Sequence, residues 1–253
     1  MKYENLQDCL SDMQGVYKSG PMNAVRSQIF IRCMHDFILD EIEKSISSEQ
    51  VVIIRFEQMK RVSKEGMYPK PPINPRKYYA MTEARVFGSH KNKDVDIVLA
   101  QYVNGPLLTI GVRSQMSSVG KNILGYYEGI IGECISMHDR FPMSVAGYVY
   151  ILPKVAYATK KDNSTGKEQI IPEEVDLDRA EEMFSQITNR ANWRSPNDQY
   201  EHFAFIKVDF EANPPQVIPN SNHDLDIDNF IEKMINTHNE RNFFNQIRIA
   251  REE

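Results

Sequence analysis

The sequence predicts an α/β fold in which helices flank a central mixed β-sheet. Short apolar runs alternate with segments of helical periodicity, in the order helix, strands, helix, strand, helix, strand, helix. The run from Ser144 to Leu152 is almost entirely apolar, which is typical of a strand buried on both faces. No internal repeat or low-complexity segment divides the chain, so we expect a single domain over residues 1–253.

The individual elements follow from periodicity and from turn residues. In chain order they are a helix over 22–49, a strand over 51–56, a helix or a strand over 79–87, strands over about 95–101 and 107–113, a helix from about 117 to 139, a strand over 144–152, a helix over about 176–190, a strand over 200–210 and a helix over about 226–239. Asn104-Gly105 is a two-residue turn signal between the central strands. We expect a polar loop over 157–171, and Asp224 or Asp226 as the N-cap of the last helix.

The composition is that of an ordinary globular protein, with 41% apolar and 26% charged residues. No run of about 18 apolar residues is present, which argues against a membrane span. The start, MKYENLQDCL, has acids and amides where a signal peptide needs an apolar stretch. Cys9, Cys33 and Cys134 are too few and too scattered for a disulfide framework or a zinc site. We therefore expect reduced thiols and a cytoplasmic location.

Charge is unevenly distributed along the chain. The net charge is −5, which disfavours a protein that coats nucleic acid non-specifically, because such binding neutralises many phosphates. The segment from Arg55 to Lys77 nevertheless carries seven Lys or Arg and two acids, and it has four prolines between positions 69 and 75. This segment is expected either to contact a phosphate backbone or to be a solvated connector.

A carboxylate lies in the first central strand and a cation ends the second. Asp96 is centred in the otherwise apolar run Val95–Leu99, and Arg113 follows the run Leu107–Val112. A charged residue inside an apolar strand favours a functional role over an ion pair at the sheet end. Asp94 is the alternative, on the same face of the strand but nearer the turn.

These residues carry a resemblance to a known family. Val95-Asp-Ile-Val-Leu99, then Leu107-Leu-Thr-Ile-Gly-Val-Arg-Ser-Gln115, then Gly120-Lys-Asn122 and a helix, resembles the core of the PD-(D/E)xK nucleases, the restriction-endonuclease-like superfamily. The resemblance covers about residues 80–155 and is strongest to type II restriction endonuclease-like proteins. It implies a restriction-endonuclease-like core, with a helix on a central mixed sheet, then a further helix and strand. It also implies hydrolysis of phosphodiester bonds with Mg²⁺ or Mn²⁺.

The second half of the family's motif is incomplete in this chain. Asp96 matches the motif aspartate and stands 15 residues before the second motif position. Where the family has acid-x-Lys, this chain has Gly111-Val-Arg113. Glycine cannot bind a metal, and arginine stays protonated, so it can hold a phosphate oxygen but cannot act as a base.

The resemblance implies that another residue supplies the missing acid. Glu128 is expected to bind the metal with Asp96, because a spacing of 100° per residue puts it at the margin of its helix's buried face, with Gly111 leaving room for it. Glu133 is expected to face the opposite way. The alternatives are Glu83 as the acid, or Glu128 as an ordinary border residue. Gln115 and Lys121 are expected near the scissile phosphate.

These expectations combine into an enzyme hypothesis. We expect a Mg²⁺-dependent, sequence-specific endonuclease that acts on double-stranded DNA as a homodimer, since a two-fold assembly allows both strands to be cut. The residues expected to contact DNA are Lys70, Arg76, Lys77, Lys91 and Lys93. One alternative is a catalytically degenerate module of the same fold that binds DNA or protein in a defence system. A further alternative is a nuclease for RNA or structured DNA.

Overall fold

The computed structural model describes residues 1–19, 28–56, 74–89, 92–161 and 168–250. The helices in these ranges are α1 (Leu6–Lys18), α2 (Gln28–Ser45), α3 (Val119–Arg140), α4 (Leu177–Ser185) and α5 (Phe230–Arg241). The strands are β1 (Val51–Ile54), β2 (Tyr78–Phe87), β3 (Asn92–Gln101), β4 (Gly105–Ser114), β5 (Val145–Pro153), β6 (Val155–Lys161), β7 (Glu168–Glu174), β8 (His202–Asp209) and β9 (Gln216–Ile218).

Seven of these strands form one mixed sheet in the order β1-β2-β3-β4-β5-β8-β9. Strands β2, β3 and β4 form an antiparallel meander, whereas β4, β5 and β8 run parallel. The parallel step from β4 to β5 passes through α3, because parallel neighbours need a crossover connection. The predicted α/β class with a mixed central sheet flanked by helices is confirmed.

Helices cover both faces of this sheet. Apolar residues of α1, α2 and α5 form one core with β3, β4, β5 and β8, and residues of α3 and α4 form a second core with β5 and β8. Every residue of β5 is buried. Val149 and Ile151 belong to the first core, and Tyr148 and Tyr150 to the second. The near-continuous apolar run therefore belongs to a strand buried on both faces, as predicted.

Several predicted elements differ from the structure. Helix α1 lies outside the predicted elements, although its buried residues Leu10, Met13 and Tyr17 have helical spacing. Residues 79–87 form a strand. The helix predicted over 176–190 ends at Ser185.

Two local predictions are wrong. The expected loop over 157–171 contains most of a two-stranded antiparallel ribbon, β6–β7, paired from Val155 with Glu174 onwards. Its pairing is between backbone groups, and its polar side chains give little apolar periodicity to recognise. The N-cap of α5 is Asn229 instead of Asp224 or Asp226, and the two aspartates belong to a 3-10 turn and its C-cap.

A buried ionic cluster ties the ends of several elements together around Glu201. One carboxylate oxygen accepts hydrogen bonds from Arg190 and Arg241, each at 2.7 Å. The other accepts from the Ala146 amide at 2.7 Å and lies 3.1 Å from His138 Nε2. Burial raises the pKa of Glu201, but His138, Arg241 and Arg190 outweigh it and lower the pKa to about 2. The cluster joins α3, α5 and the starts of β5 and β8.

We expect Glu201→Gln to destabilise the fold by roughly 3–5 kcal/mol at neutral pH, because the buried arginines lose their counter-charge. The folded pKa near 2 lies below the ordinary value of 4.5. Ionised Glu201 therefore stabilises the wild type fully above about pH 4.5. On the order of 3 kcal/mol of the free energy of unfolding is lost as the pH falls towards 2. Urea unfolding across this pH range measures both effects. Glu182→Gln, at an exposed position on α4, is the control, and equal urea midpoints for Glu201→Gln and the wild type would contradict the assignment.

Candidate functional site

The sheet opens next to Asp96. The pairing of β3 with β4 reaches only to Ile97 opposite Ile110. Beyond that pair, the carboxylate Oδ2 of Asp96 accepts a hydrogen bond from the backbone amide of Val112 at 2.7 Å. On the β2 side, the residue facing this position is Glu83, whose φ of 52° lies in the left-handed region and interrupts the regular strand. The Asp96 carboxylate therefore takes a place that strand pairing would otherwise occupy.

A small cavity adjoins Asp96 between the sheet and α3. Its walls come from β3, β4, β5 and α3. The lining includes the charged or hydroxyl-bearing residues Lys93, Asp94, Asp96, Glu133 and Tyr148. Lys93 forms an ion pair with Glu133. Three acidic residues and a lysine thus line one opening in the fold.

The environment of Asp96 favours its protonated form. Burial is the largest cause and raises its pKa to about 6, and the charges of Glu133 and Glu83 add to this effect. The hydrogen bond from Val112 and the charge of Arg113 oppose it. A carboxyl with a raised pKa in a cleft, next to a second acid, is typical of a functional site.

Glu133, and not Glu128, faces the cavity. Glu133 lines it together with Cys134 and Met137, whereas Glu128 is exposed to solvent. The helical-wheel prediction for this pair is wrong, because Glu133 precedes Met137 by one turn and lies on the same face of α3. Glu128 is five residues earlier, or about 140° around the helix from Glu133. The role of Glu128 as a metal ligand stays a prediction that this geometry does not support.

Packing explains the glycine at the second motif position. The parallel register sets Gly111 of β4 opposite Tyr148 of β5. A Cβ atom on Gly111 would lie 2.4 Å from Cε2 of the Tyr148 ring. That ring is buried and stacks on Phe203 with centroids 5.4 Å apart. Gly111 therefore makes room for Tyr148, and not for a displaced acid as the sequence suggested.

Arg113 is a half-buried cation beside the same site. Its guanidinium lies over the Tyr126 ring, 4.6 Å from the centroid. Burial lowers the pKa of Arg113, but interactions with Tyr148 and the charge of Glu133 outweigh burial and raise it. The guanidinium is thus held as a fixed positive charge near Glu133, which suits a phosphate oxygen.

Gln115 and Lys121 are not among the residues that line the cavity. Gln115 is buried, accepts a hydrogen bond from the Tyr150 hydroxyl at 2.9 Å and donates to the Ser118 carbonyl at 3.3 Å. These contacts tie the end of β4 to the start of α3. Lys121 is exposed in the first turn of α3, which places it about 18 Å along the helix axis from Glu133.

The residues expected to contact DNA have different environments. Arg76 is exposed and Lys77 is partly exposed, just before β2. Lys93 faces the cavity and pairs with Glu133, so it belongs to the candidate site instead of a free surface. Lys70 and Lys91 lie outside the described residues. Asp94, the alternative to Asp96, is exposed and bonds Arg85 at 2.8 Å.

The sequence did not point to His35 as a site residue. This side chain of α2 is buried, and its Nε2 lies 3.7 Å from Oδ1 of Asp96. The two residues are 61 positions apart, and His35 lies within an ordinary helical pattern. No local sequence signal links it to the strand, since the contact arises only when α2 packs on the sheet.

The donor set is compatible with Mg²⁺ only if substrate and water complete the coordination. In the part of the chain that the structure describes, no group of three or more His, Cys, Asp or Glu side chains is placed to hold a metal ion. Mg²⁺ in proteins is often held by one or two carboxylates, with waters and substrate phosphates as its remaining ligands. Asp96 and Glu133 are the candidate pair, because both residues line one cavity. To bind the cation, Glu133 would have to give up its ion pair with Lys93.

Comparisons with protein-family models, curated proteins and solved structures gave no match for this chain. The family resemblance therefore rests on the residues quoted for it. Among the described residues, no helix has both the length and the apolarity that crossing a membrane requires.

We expect Gly111→Ala to destabilise the fold by about 1–3 kcal/mol, because the added methyl group meets the rigid ring of Tyr148. The loss should shrink in a Tyr148→Ala background, where the ring is absent. Thermal unfolding of the four proteins of this double-mutant cycle measures the coupling. Gly125→Ala is the matched control on α3, where an added Cβ has no neighbour within 4 Å, and helix propensity favours alanine. Equal losses from Gly111→Ala in both backgrounds would contradict the packing explanation.

Proposed function

We propose that the protein is a Mg²⁺-dependent endonuclease of the restriction type, acting on double-stranded DNA. The observation that carries the proposal is the meeting of Asp96, Glu133 and Lys93 at one cavity beside Arg113. The resemblance implies two acids and a lysine, and the shared cavity of Asp96, Glu133 and Lys93 supports assigning those roles to them. In this assignment β4 supplies neither the second acid nor the lysine. Glu133 from the following helix takes the place expected for Glu128.

The chain's own residues have separable roles in this proposal. Asp96 and Glu133 would hold the cation. When bound, Mg²⁺ supplies the positive charge that polarises the phosphate and acidifies a water molecule. Arg113, always protonated, would bind a phosphate oxygen through its planar guanidinium. Lys93, released from Glu133, would donate a hydrogen bond to the attacking water or to the phosphate.

The order of elements gives coarser support. Helix α2 is followed by the antiparallel strands β2, β3 and β4, then by α3 and the parallel strand β5. This is compatible with the core that the resemblance implies, a helix on a mixed sheet followed by a helix and a further strand. The restriction-endonuclease-like assignment, the DNA substrate and the homodimer remain parts of the proposal.

A second candidate function is supported by the packing at Gly111. The Tyr148 ring fills the space next to the motif position at which the family carries an acid. Lys93 also neutralises Glu133. Both features favour a module of the same fold that binds DNA or protein without cutting it, as a subunit of a defence system would.

A plasmid cleavage assay with Mg²⁺ or Mn²⁺ separates these functions. We expect the wild type to produce discrete fragments, and both Asp96→Asn and Glu133→Gln to abolish them, because each removes a proposed ligand of the cation. Glu128→Gln should keep cleavage activity if Glu133 is the second acid. It should lose that activity if Glu128 is the second acid, as the sequence predicted.

The outcomes of this assay differ for each hypothesis. DNA binding by the wild type without fragments in either cation would favour the non-cleaving module. Cleavage that survives Asp96→Asn would contradict the whole assignment of the site. Circular dichroism of each variant shows whether a lost activity reflects a lost fold.

We expect Arg76, which is exposed, and Lys77, which is partly exposed, to contact the DNA backbone. Replacing both by glutamine should weaken binding to all sequences alike and reduce the slope of log K against log salt by about 2, because two phosphate contacts are lost. Binding titrations at several salt concentrations measure this slope. Arg179→Gln, at an exposed position on α4, is the control, and an unchanged slope for the double variant would dismiss the contact.

A further inference from the structure

His35 is an unusual residue for the interior of this protein. It is 4% exposed, and neither ring nitrogen has a hydrogen-bond partner among the residues that the structure describes. A buried polar group without a partner costs roughly 1–3 kcal/mol, so most such groups in folded proteins are satisfied. An apolar residue of the same size would avoid that cost at this position of α2. We therefore expect His35 to have a role that compensates for this loss of stability.

A carboxylate of the candidate site lies close to His35. Its Nε2 atom lies 3.7 Å from Oδ1 of Asp96, slightly beyond hydrogen-bond distance. Oδ2 of the same carboxylate already accepts the Val112 amide at 2.7 Å. A small rotation of either side chain would place the imidazole N–H on Oδ1. The carboxylate would then be fixed through both of its oxygens.

The protonation state of His35 is compatible with such a contact. Burial, the largest cause, lowers the pKa of His35 to about 4, with Arg32 acting in the same direction and Asp36 against it. The ring is therefore neutral near pH 7 and carries one N–H group. The tautomer with the proton on Nε2 directs that donor to Asp96.

We infer that His35 is a positioning residue, which holds the Asp96 carboxylate in the orientation that binds a divalent cation together with Glu133. This inference rests on the proposed function, because it concerns the same cation site. The partner groups that orient metal-binding side chains typically change metal affinity by 10- to 100-fold when they are removed. The effect is exerted through Asp96, since His35 itself does not line the cavity.

The decisive measurement is Mn²⁺ binding by isothermal titration calorimetry, without DNA and at neutral pH. His35→Leu removes the donor and should weaken Mn²⁺ binding roughly 10- to 100-fold. His35→Gln keeps an N–H group near the position of Nε2 and should retain affinity within a few-fold. The unfolding temperature of His35→Leu should equal or exceed that of the wild type, because a buried orphan polar group is removed. If His35 had only a structural role, its removal would not weaken Mn²⁺ binding while the unfolding temperature is unchanged.

The outcomes distinguish this inference from the proposed function. Equal Mn²⁺ affinity in the wild type and His35→Leu overturns the role of His35 and leaves the proposed function standing. Absence of Mn²⁺ binding by the wild type overturns both. If the variants do not fold, the ¹⁵N spectrum of wild-type His35 decides: a proton on Nε2, with shifts that change in Asp96→Asn, supports the contact, whereas a proton on Nδ1 overturns it.

Discussion

The hydrogen bond from the Val112 amide to the Asp96 carboxylate holds the candidate site in place. At this point β3 and β4 stop pairing, and the carboxylate satisfies a backbone donor that the next strand pair would have used. The carboxyl is thereby anchored inside the sheet and not at the end of a mobile side chain. The same opening leaves space for the cavity that Glu133 reaches from α3. A local defect in strand pairing thus places Asp96 beside the cavity that Glu133 also lines.

Aromatic packing limits what else the site can contain. Tyr148 stacks on Phe203, and Phe203 stacks on Phe184 of α4 with ring centroids 4.9 Å apart. This cluster anchors α4 against β5 and β8, and it needs a residue without a side chain at position 111. Core packing and an acidic residue on β4 therefore compete for the same volume. In this chain the Tyr148 ring occupies that volume, and the acid proposed to act with Asp96 lies on a helix.

Features encoded in contiguous sequence were the predictable ones. The apolar strands, a tight turn between β3 and β4 and the isolated carboxylate of Asp96 all followed from neighbouring residues, although the turn spans residues 102–104 and Gly105 already belongs to β4. The orientation of Glu133 could be predicted only from the correct buried face of α3. Met137, one turn later, identifies that face. The contact of His35 with the strand and the approach of Tyr148 to Gly111 depend on how separate elements pack. The ribbon β6–β7 was missed because its apolar runs, Val155–Ala158 and Ile170–Ile171, are short and a polar stretch separates them.

The parallel register of β4, β5 and β8 has a consequence for how the chain folds. Gly111 pairs with Tyr148, 37 residues later, and Tyr148 pairs with Phe203 after a further 55. Contacts between residues so far apart in sequence form slowly, because the chain loses the entropy of closing a long loop before the contacts stabilise it. His35, Asp96, Glu133 and Tyr148 come from four elements on both sides of the α3 crossover. The candidate site is therefore assembled from segments far apart in the chain, and it exists only where those segments are packed together.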